Sequence, residues 1–204
     1  VNKEMLSGNS WNNEIQAKFS DTAAERKLGN YFSALLKEMN PLGWRPLILL
    51  AIGTDRATGD CLGPLVGSFI KQLEPKFFPV YGTLEEPVHA LNLQDTLVTI
   101  RKNFRNPLIV AVDATLGMTS RIGVITMGKG PLYPGSSVRK DLPPTGEIFI
   151  HGVVNVGGFM EYLVLQSTRL NLVMKMANCI ARSLVYGYRR YTNSIPITSM
   201  SSKK

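Results

Sequence analysis

Long apolar runs are missing from this chain. The longest, Leu47 to Ile52 after Pro46, is far shorter than the roughly 20 residues a membrane helix needs. The first thirty residues contain no apolar core of the kind a secretory signal carries, so no leader is read there. Cysteine is scarce: Cys61 and Cys179 stand far apart, with no CxxC or metal-ligand spacing. That excludes a disulfide framework and a thiolate zinc site, and it fits a reducing compartment. The two histidines, His89 and His151, form no HxxxH or HxH pair. The glycine loop Gly53–Gly59 lacks the Lys-Ser/Thr of a P-loop and does not match GxGxxG, which removes the usual nucleotide cradles. No GxSxG elbow occurs either; Gly135-Ser136-Ser137 lies in a proline-rich stretch rather than between a strand and a helix.

Acidic residues are missing from one end. Residues 169–204 contain Arg169, Lys175, Arg182, Arg189, Arg190, Lys203 and Lys204 and no acid. The net charge of +8 therefore belongs to the C-terminal end, and residues 1–168 balance to +1, with 16 basic against 15 acidic side chains. Lys175, Arg182 and Arg189 recur every seven residues, nearly two helical turns, and form one stripe. Without aromatic interleaving or a nucleic-acid motif, the stripe reads as a solvated helix face, and no direct nucleic-acid contact is expected.

What remains is a globular chain of 204 residues, 44% hydrophobic and 19% charged, one domain by length. Residues 1–20 read as a loosely ordered arm, 21–191 as a single domain and 192–204 as a disordered tail. The spacing of Leu28, Phe32, Leu35, Leu36 and Met39 predicts a helix over 22–39. Further helices are expected over 62–73, 92–104, 158–166 and 170–191. Strands are expected over 46–53, 77–81, 108–112, 123–127 and 147–151. The runs Pro46-Leu-Ile-Leu-Leu-Ala-Ile-Gly53 and Leu108-Ile-Val-Ala-Val112 are apolar throughout, as parallel strands buried on both faces are. The alternation predicts a three-layer αβα sandwich with a mostly parallel central sheet. Its site belongs beyond the carboxyl ends of the strands. Residues 128–146, with four Gly and four Pro, form a long loop of the kind that is functional or mobile.

Asp60 and Asp113 each follow an apolar strand. Asp60 suits a helix N-cap, and Asp113 suits a turn-capping aspartate. A parallel sheet can also bring two such carboxylates together. Then one keeps a proton more readily than the other, one activates water, and the other polarises a carbonyl or protonates the leaving amine. Asp55 reads as a turn former in the same loop. Glu85 and Glu86 read as a solvated loop that could supply acids or ligands. Cys61 reads as a buried thiol rather than a nucleophile. His89 and His151 read as hydrogen-bonded structural histidines. The metal alternative pairs either with Asp60 and Asp113, since carboxylate and imidazole suit zinc or nickel.

The string Ile52-Gly-Thr-Asp-Arg-Ala-Thr-Gly-Asp-Cys-Leu-Gly-Pro64 resembles the YyaC-type sporulation proteins, a spore-protease family. So do Tyr81-Gly-Thr-Leu-Glu-Glu-Pro-Val-His-Ala90 and Ile150-His-Gly-Val-Val-Asn-Val-Gly-Gly-Phe-Met-Glu-Tyr162. The resemblance spans about residues 22–190. More distantly the chain is similar to the spore germination protease and the hydrogenase maturation proteases, which share an αβα fold. Asp60 before Cys-Leu-Gly-Pro and Asp113 before Ala-Thr-Leu match the two aspartates of the germination protease, and Pro134-Gly-Ser-Ser-Val138 resembles its Pro-Gly-Ser-Gly-Val. The maturation proteases hold a metal with two carboxylates and a His three positions before a Gly-Phe pair. Here Asn155 stands at that place before Gly158-Phe159.

The resemblance implies a cytoplasmic endopeptidase of a spore-forming bacterium, in the forespore or mother cell. Asp60 and Asp113 would be its metal-free catalytic dyad, with Asp55, Glu86, His89, Asn155 and His151 around the pocket. Its substrate would be protein, of the small acid-soluble spore protein class. No cofactor and no membrane contact are expected, and a homo-oligomer is compatible. The alternatives are a metal-dependent maturation-type peptidase with a divalent ion at Asp60 and Asp113, or an inactive sporulation factor of the same fold.

Overall fold

The computed structural model describes residues 14–74, 78–134 and 142–195. Strands β1 (Glu14–Lys18), β2 (Leu47–Ala51), β3 (Val80–Tyr81), β4 (Leu108–Gly117), β5 (Val124–Lys129) and β6 (Ile148–Val156) form one sheet. Their order is β1-β5-β6-β4-β2-β3. Strands β6, β4, β2 and β3 pair in parallel, while β5 runs antiparallel to both β6 and β1. Helices α1 (Ala24–Met39), α2 (Leu62–Leu73), α3 (Leu93–Asn103), α4 (Glu161–Gln166) and α5 (Leu170–Thr192) complete the fold. The expected αβα sandwich with a mostly parallel sheet is the architecture observed.

The apolar strands divide their side chains between two cores. Leu47, Leu49 and Ala51 of β2 join Leu108, Val110 and Val112 of β4 beneath α1, α2 and α5. Ile48 and Leu50 join Ile109 and Ala111 beneath Leu93, Leu97 and Ile100 of α3. Because strand side chains alternate, Asp113 continues the row Ile109, Ala111 and faces the α3 side.

Three local readings are corrected. Residues 14–18, assigned to the loose arm, form edge strand β1 against β5. Only Ile15 and Ala17 turn toward the core, and two apolar positions leave too short an alternation to stand out. Strands β4 and β6 run on to Gly117 and Val156, paired across a register shift at Thr115/Leu116. Asp113 and His151 are therefore inside strands rather than at their ends. Helix α4 begins at Glu161, not 158, because Gly158 (φ 138) and Met160 (φ 52) have left-handed φ, which an α-helix cannot contain. The tail expected over 192–204 lies outside the described residues from 196 onward, as do residues 1–13 and Gly135–Val138 of the Pro-Gly-Ser-Ser-Val string.

The basic stripe on α5 is partly answered by acids. Arg182 pairs with Glu25 at 3.8 Å and Arg189 pairs with Glu74. No helix among the described residues is long and apolar enough to cross a membrane.

Candidate active site

The loop after β2 is closed at its neck. Gly53 has φ 142, and a Cβ there would lie 2.0 Å from the Asp60 carbonyl oxygen. Only glycine lets the two ends of the loop touch. The Thr54 N–H donates to that same carbonyl at 3.2 Å. At the start of α2, a Cβ on Gly63 would lie 2.1 Å from the Ile52 carbonyl oxygen, so the helix packs directly on the strand end. Asp60 sits in a single 3-10 turn, Gly59–Cys61, with Cys61 as the residue capping α2 and no side-chain cap bond there. It therefore stands one residue ahead of the capping position that the sequence offered it.

Asp113 lies where β4 loses one neighbour. The last residue of β2, Ala51, pairs with Val112, while β4 stays paired with β6 through Asp113↔His151 and beyond. The Asp113 side chain is buried (8% exposed), and its Oδ1 accepts the Ala114 N–H at 2.8 Å. Asp60 and Asp113 border one cavity of about 370 Å³, with Ile52, Arg56, His89 and Tyr162 among its walls. The two aspartates that the motifs single out, 53 residues apart in sequence, are thus brought to one place.

Asp113 also borders a second cavity, of about 360 Å³, with Thr115, Tyr133, Phe149 and His151. The His151 imidazole stacks on Phe149, with centroids 5.6 Å apart and planes 9° apart. Burial lowers its pKa, and the Arg121 charge adds to that against the opposing Glu14.

The remaining sequence-predicted residues scatter. His89 borders the cavity of the two aspartates, and also a neighbouring one with Glu86, Lys71 and Tyr81. Glu86 is exposed there. Asp55 is exposed on the loop and lies outside the border of the aspartate cavity. Asn155 lies outside it as well. Its Nδ2 donates to the Val164 carbonyl and to Thr168 Oγ1, each at 3.2 Å, and its Oδ1 accepts the Val156 N–H at 2.9 Å. These bonds brace α4 and the turn after it on β6. Thr168 Oγ1 in turn would be 2.9 Å from a Cβ on Gly59, so Asn155 supports the turn carrying Asp60 from behind. Cys61 is buried, and burial together with the Asp55 and Asp60 charges pushes its thiol up to about 11. A thiol held protonated is a poor nucleophile.

Arg56, Leu91 and Tyr162 border the cavity without having been singled out from sequence. Leu91 is 86% exposed and Tyr162 60%, and with exposed Phe159 and Met160 they carry apolar surface close to the cavity. Among the described residues, no group of three or more His, Cys, Asp or Glu side chains could hold a metal ion. The alternative set of Asp60, Asp113 and His89 or His151 does not converge as a metal centre.

A protein-family model described as "Protein of unknown function (DUF1256)" matches residues 16–183. The Bacillus subtilis (strain 168) "Uncharacterized protein YyaC" is 50% identical over 165 residues, covering 81% of this chain and 79% of that protein. The crystal structure of a [NiFe] hydrogenase maturation protease, HycI from Thermococcus kodakarensis KOD1, is similar with a TM-score of 0.49 and 18% identity. That match covers 76% of this chain and 99% of the other.

Proposed function

The chain belongs to the DUF1256 family, whose description assigns no chemistry, and we propose that it is a peptidase in which Asp60 and Asp113 form the catalytic dyad. The observation that carries this reading is that Asp60 and Asp113 border one cavity just beyond the carboxyl end of β2, where β4 runs on past it. Crevices at that edge of a parallel sheet are the usual ligand sites of such folds.

In this scheme one carboxylate takes a proton from water, and the water oxygen attacks the scissile carbonyl carbon. The other carboxyl, in its acid form, donates to the departing amine nitrogen as the C–N bond breaks. One proton enters from water and one leaves on the amine, so the dyad exchanges roles and is restored by proton transfer. The exposed apolar side chains Leu91, Phe159, Met160 and Tyr162 suit a protein substrate that covers the rim.

The motifs around both aspartates resemble those of the spore germination protease. On that resemblance the substrate class is small acid-soluble spore proteins, and the setting is the cytoplasm of a sporulating cell. The metal-dependent alternative has less support, because its donors do not converge among the described residues.

The test is incubation of purified protein with a small acid-soluble spore protein and with casein as an unfolded general substrate, read by mass spectrometry. Wild type releases defined fragments, and Asp60→Asn and Asp113→Asn lose about 10²–10⁴-fold in rate while keeping the wild-type circular dichroism. No cleavage of either protein, or cleavage by both variants at the wild-type rate, overturns the reading.

A further inference from the structure

His89 is held by more contacts than a loop histidine needs. Val88 bridges Ile52 in parallel register, and the Gly53 N–H donates to the Val88 carbonyl at 2.8 Å. Residue 89 is thereby strapped beside the end of β2. Its own N–H donates to Asn92 Oδ1 at 2.8 Å. Its carbonyl accepts the N–H groups of Asn92 and Leu93 at 3.1 and 2.9 Å, and Asn92 Nδ2 closes the turn onto the Pro87 carbonyl at 3.0 Å. The backbone of His89 is fixed in the turn that leads into α3.

The ring is oriented as well. The Leu91 N–H donates to His89 Nδ1 at 3.3 Å. A nitrogen that accepts a hydrogen bond carries no proton, so the proton of the neutral ring sits on Nε2. Among the described residues, Nε2 has no acceptor. His89 borders the cavity that holds Asp60 and Asp113, and the neighbouring one as well.

The geometry points to His89 as the N–H donor that stabilises the oxyanion of the tetrahedral intermediate. This rests on the peptidase reading and adds to it. In the dyad scheme the carboxyls handle the water and the leaving amine, while negative charge collects on the carbonyl oxygen. A donor whose backbone and tautomer are both set in advance does not have to reorganise when that charge appears, and removing such a donor costs about 10²–10³-fold in kcat.

Two substitutions separate this role from a purely structural one. His89→Asn places an amide oxygen where Nδ1 accepts the Leu91 N–H but offers nothing at the Nε2 position. His89→Gln places an amide N–H near the Nε2 position and loses the Leu91 acceptor. Cleavage of the small acid-soluble spore protein and of casein is measured for both, with thermal melting as the check on folding. His89→Asn is expected to lower kcat by about 100-fold with KM little changed, and His89→Gln to recover part of that loss. A His89→Asn protein that cleaves within about threefold of wild type, while Asp113→Asn is inactive, overturns the role of His89 and leaves the dyad standing. Greater loss in His89→Gln than in His89→Asn assigns His89 to the turn alone and also overturns it. No cleavage by wild type overturns the peptidase reading, and this inference with it.

Discussion

Asp113 on β4 and His151 on β6 are register partners across a parallel ladder, and both border the same cavity on the α3 side of the sheet. On β5, the residue opposite His151 is Thr126, whose buried Oγ1 has no partner among the described residues. A polar row thus crosses three strands and ends at a candidate catalytic carboxylate. An unpaired buried hydroxyl is costly, and this one lies in register with the row that leads toward the site.

The first prediction concerns His151. Burial lowers its pKa; Arg121, before β5, lowers it further, Glu14 on β1 opposes, and Asp113 is its neighbour on β4. A base whose folded pKa lies below its unfolded value near 6.5 favours the folded state while neutral. That contribution is present above about pH 6.5 and is lost as pH falls through the lower folded pKa. The ring-proton NMR titration of His151 is expected to have its midpoint below 6.5. His151→Phe is expected to flatten the acid limb of the stability profile, and a midpoint above 6.5 would refute the assignment.

Gly63 supplies a second prediction. A methyl group there must displace the Ile52 carbonyl, 2.1 Å away, whereas at Gly157 the nearest atom would be Leu116 Cβ at an ordinary 3.4 Å. Gly63→Ala is expected to destabilise the fold by about 1–3 kcal/mol or more, and to reduce activity by shifting the turn that holds Asp60. Gly157→Ala is expected to stay within about 0.5 kcal/mol of wild type. Urea unfolding of the two variants makes the comparison, and equal midpoints would refute it.

The alkaline side gives the third. Burial pushes the Cys61 and Cys179 thiols up to about 11 and the Tyr191 phenol up to about 12. Each group is held neutral in the fold. Its stabilising contribution is complete below the unfolded pKa, 9.0 for the thiols and 10.0 for the phenol, and it is lost as pH rises through the folded value. Melting temperature is therefore expected to fall across pH 9 to 12, and Cys61→Ser with Cys179→Ser to soften that fall. Native protein at pH 8 is expected to react with iodoacetamide far more slowly than unfolded protein; equal rates would contradict the burial.

Much of this fold was legible from residue types alone. Unbroken apolar runs marked β2 and β4, and the three-and-four spacing marked α1 and α5, because each pattern repeats enough times to stand above chance. Strand β1 was not legible, since two inward residues hardly make a pattern. The continuation of β6 past His151 was hidden by Gly152 and Asn155, which look like strand breakers until β4 is seen beside them. Asp60 and Asp113 could be singled out because each follows an apolar run, although Asp113 proves to lie within β4. Arg56, Leu91 and Tyr162 could not, because a rim is made by segments that meet only in the folded chain. The second cavity likewise is bordered by Pro131, Leu132 and Tyr133, and Leu132 is held by a bridge to Thr145 that no local pattern announces.

The closed neck between Gly53 and Asp60 has a consequence for how such a protein can diverge. Thr54 and Asp60 hold the loop shut at its base, so exposed Asp55 and Arg56 between them can be exchanged, or residues added beside them, at a modest cost in closure entropy, while Ala57 and Gly59 stay packed against the core and Thr168. Arg56 lies in that span and borders the cavity. New selectivity can therefore be written into this loop while the carboxylate at its base stays in place. In the proposed peptidase, substrate choice could then drift through this loop without disturbing the fold.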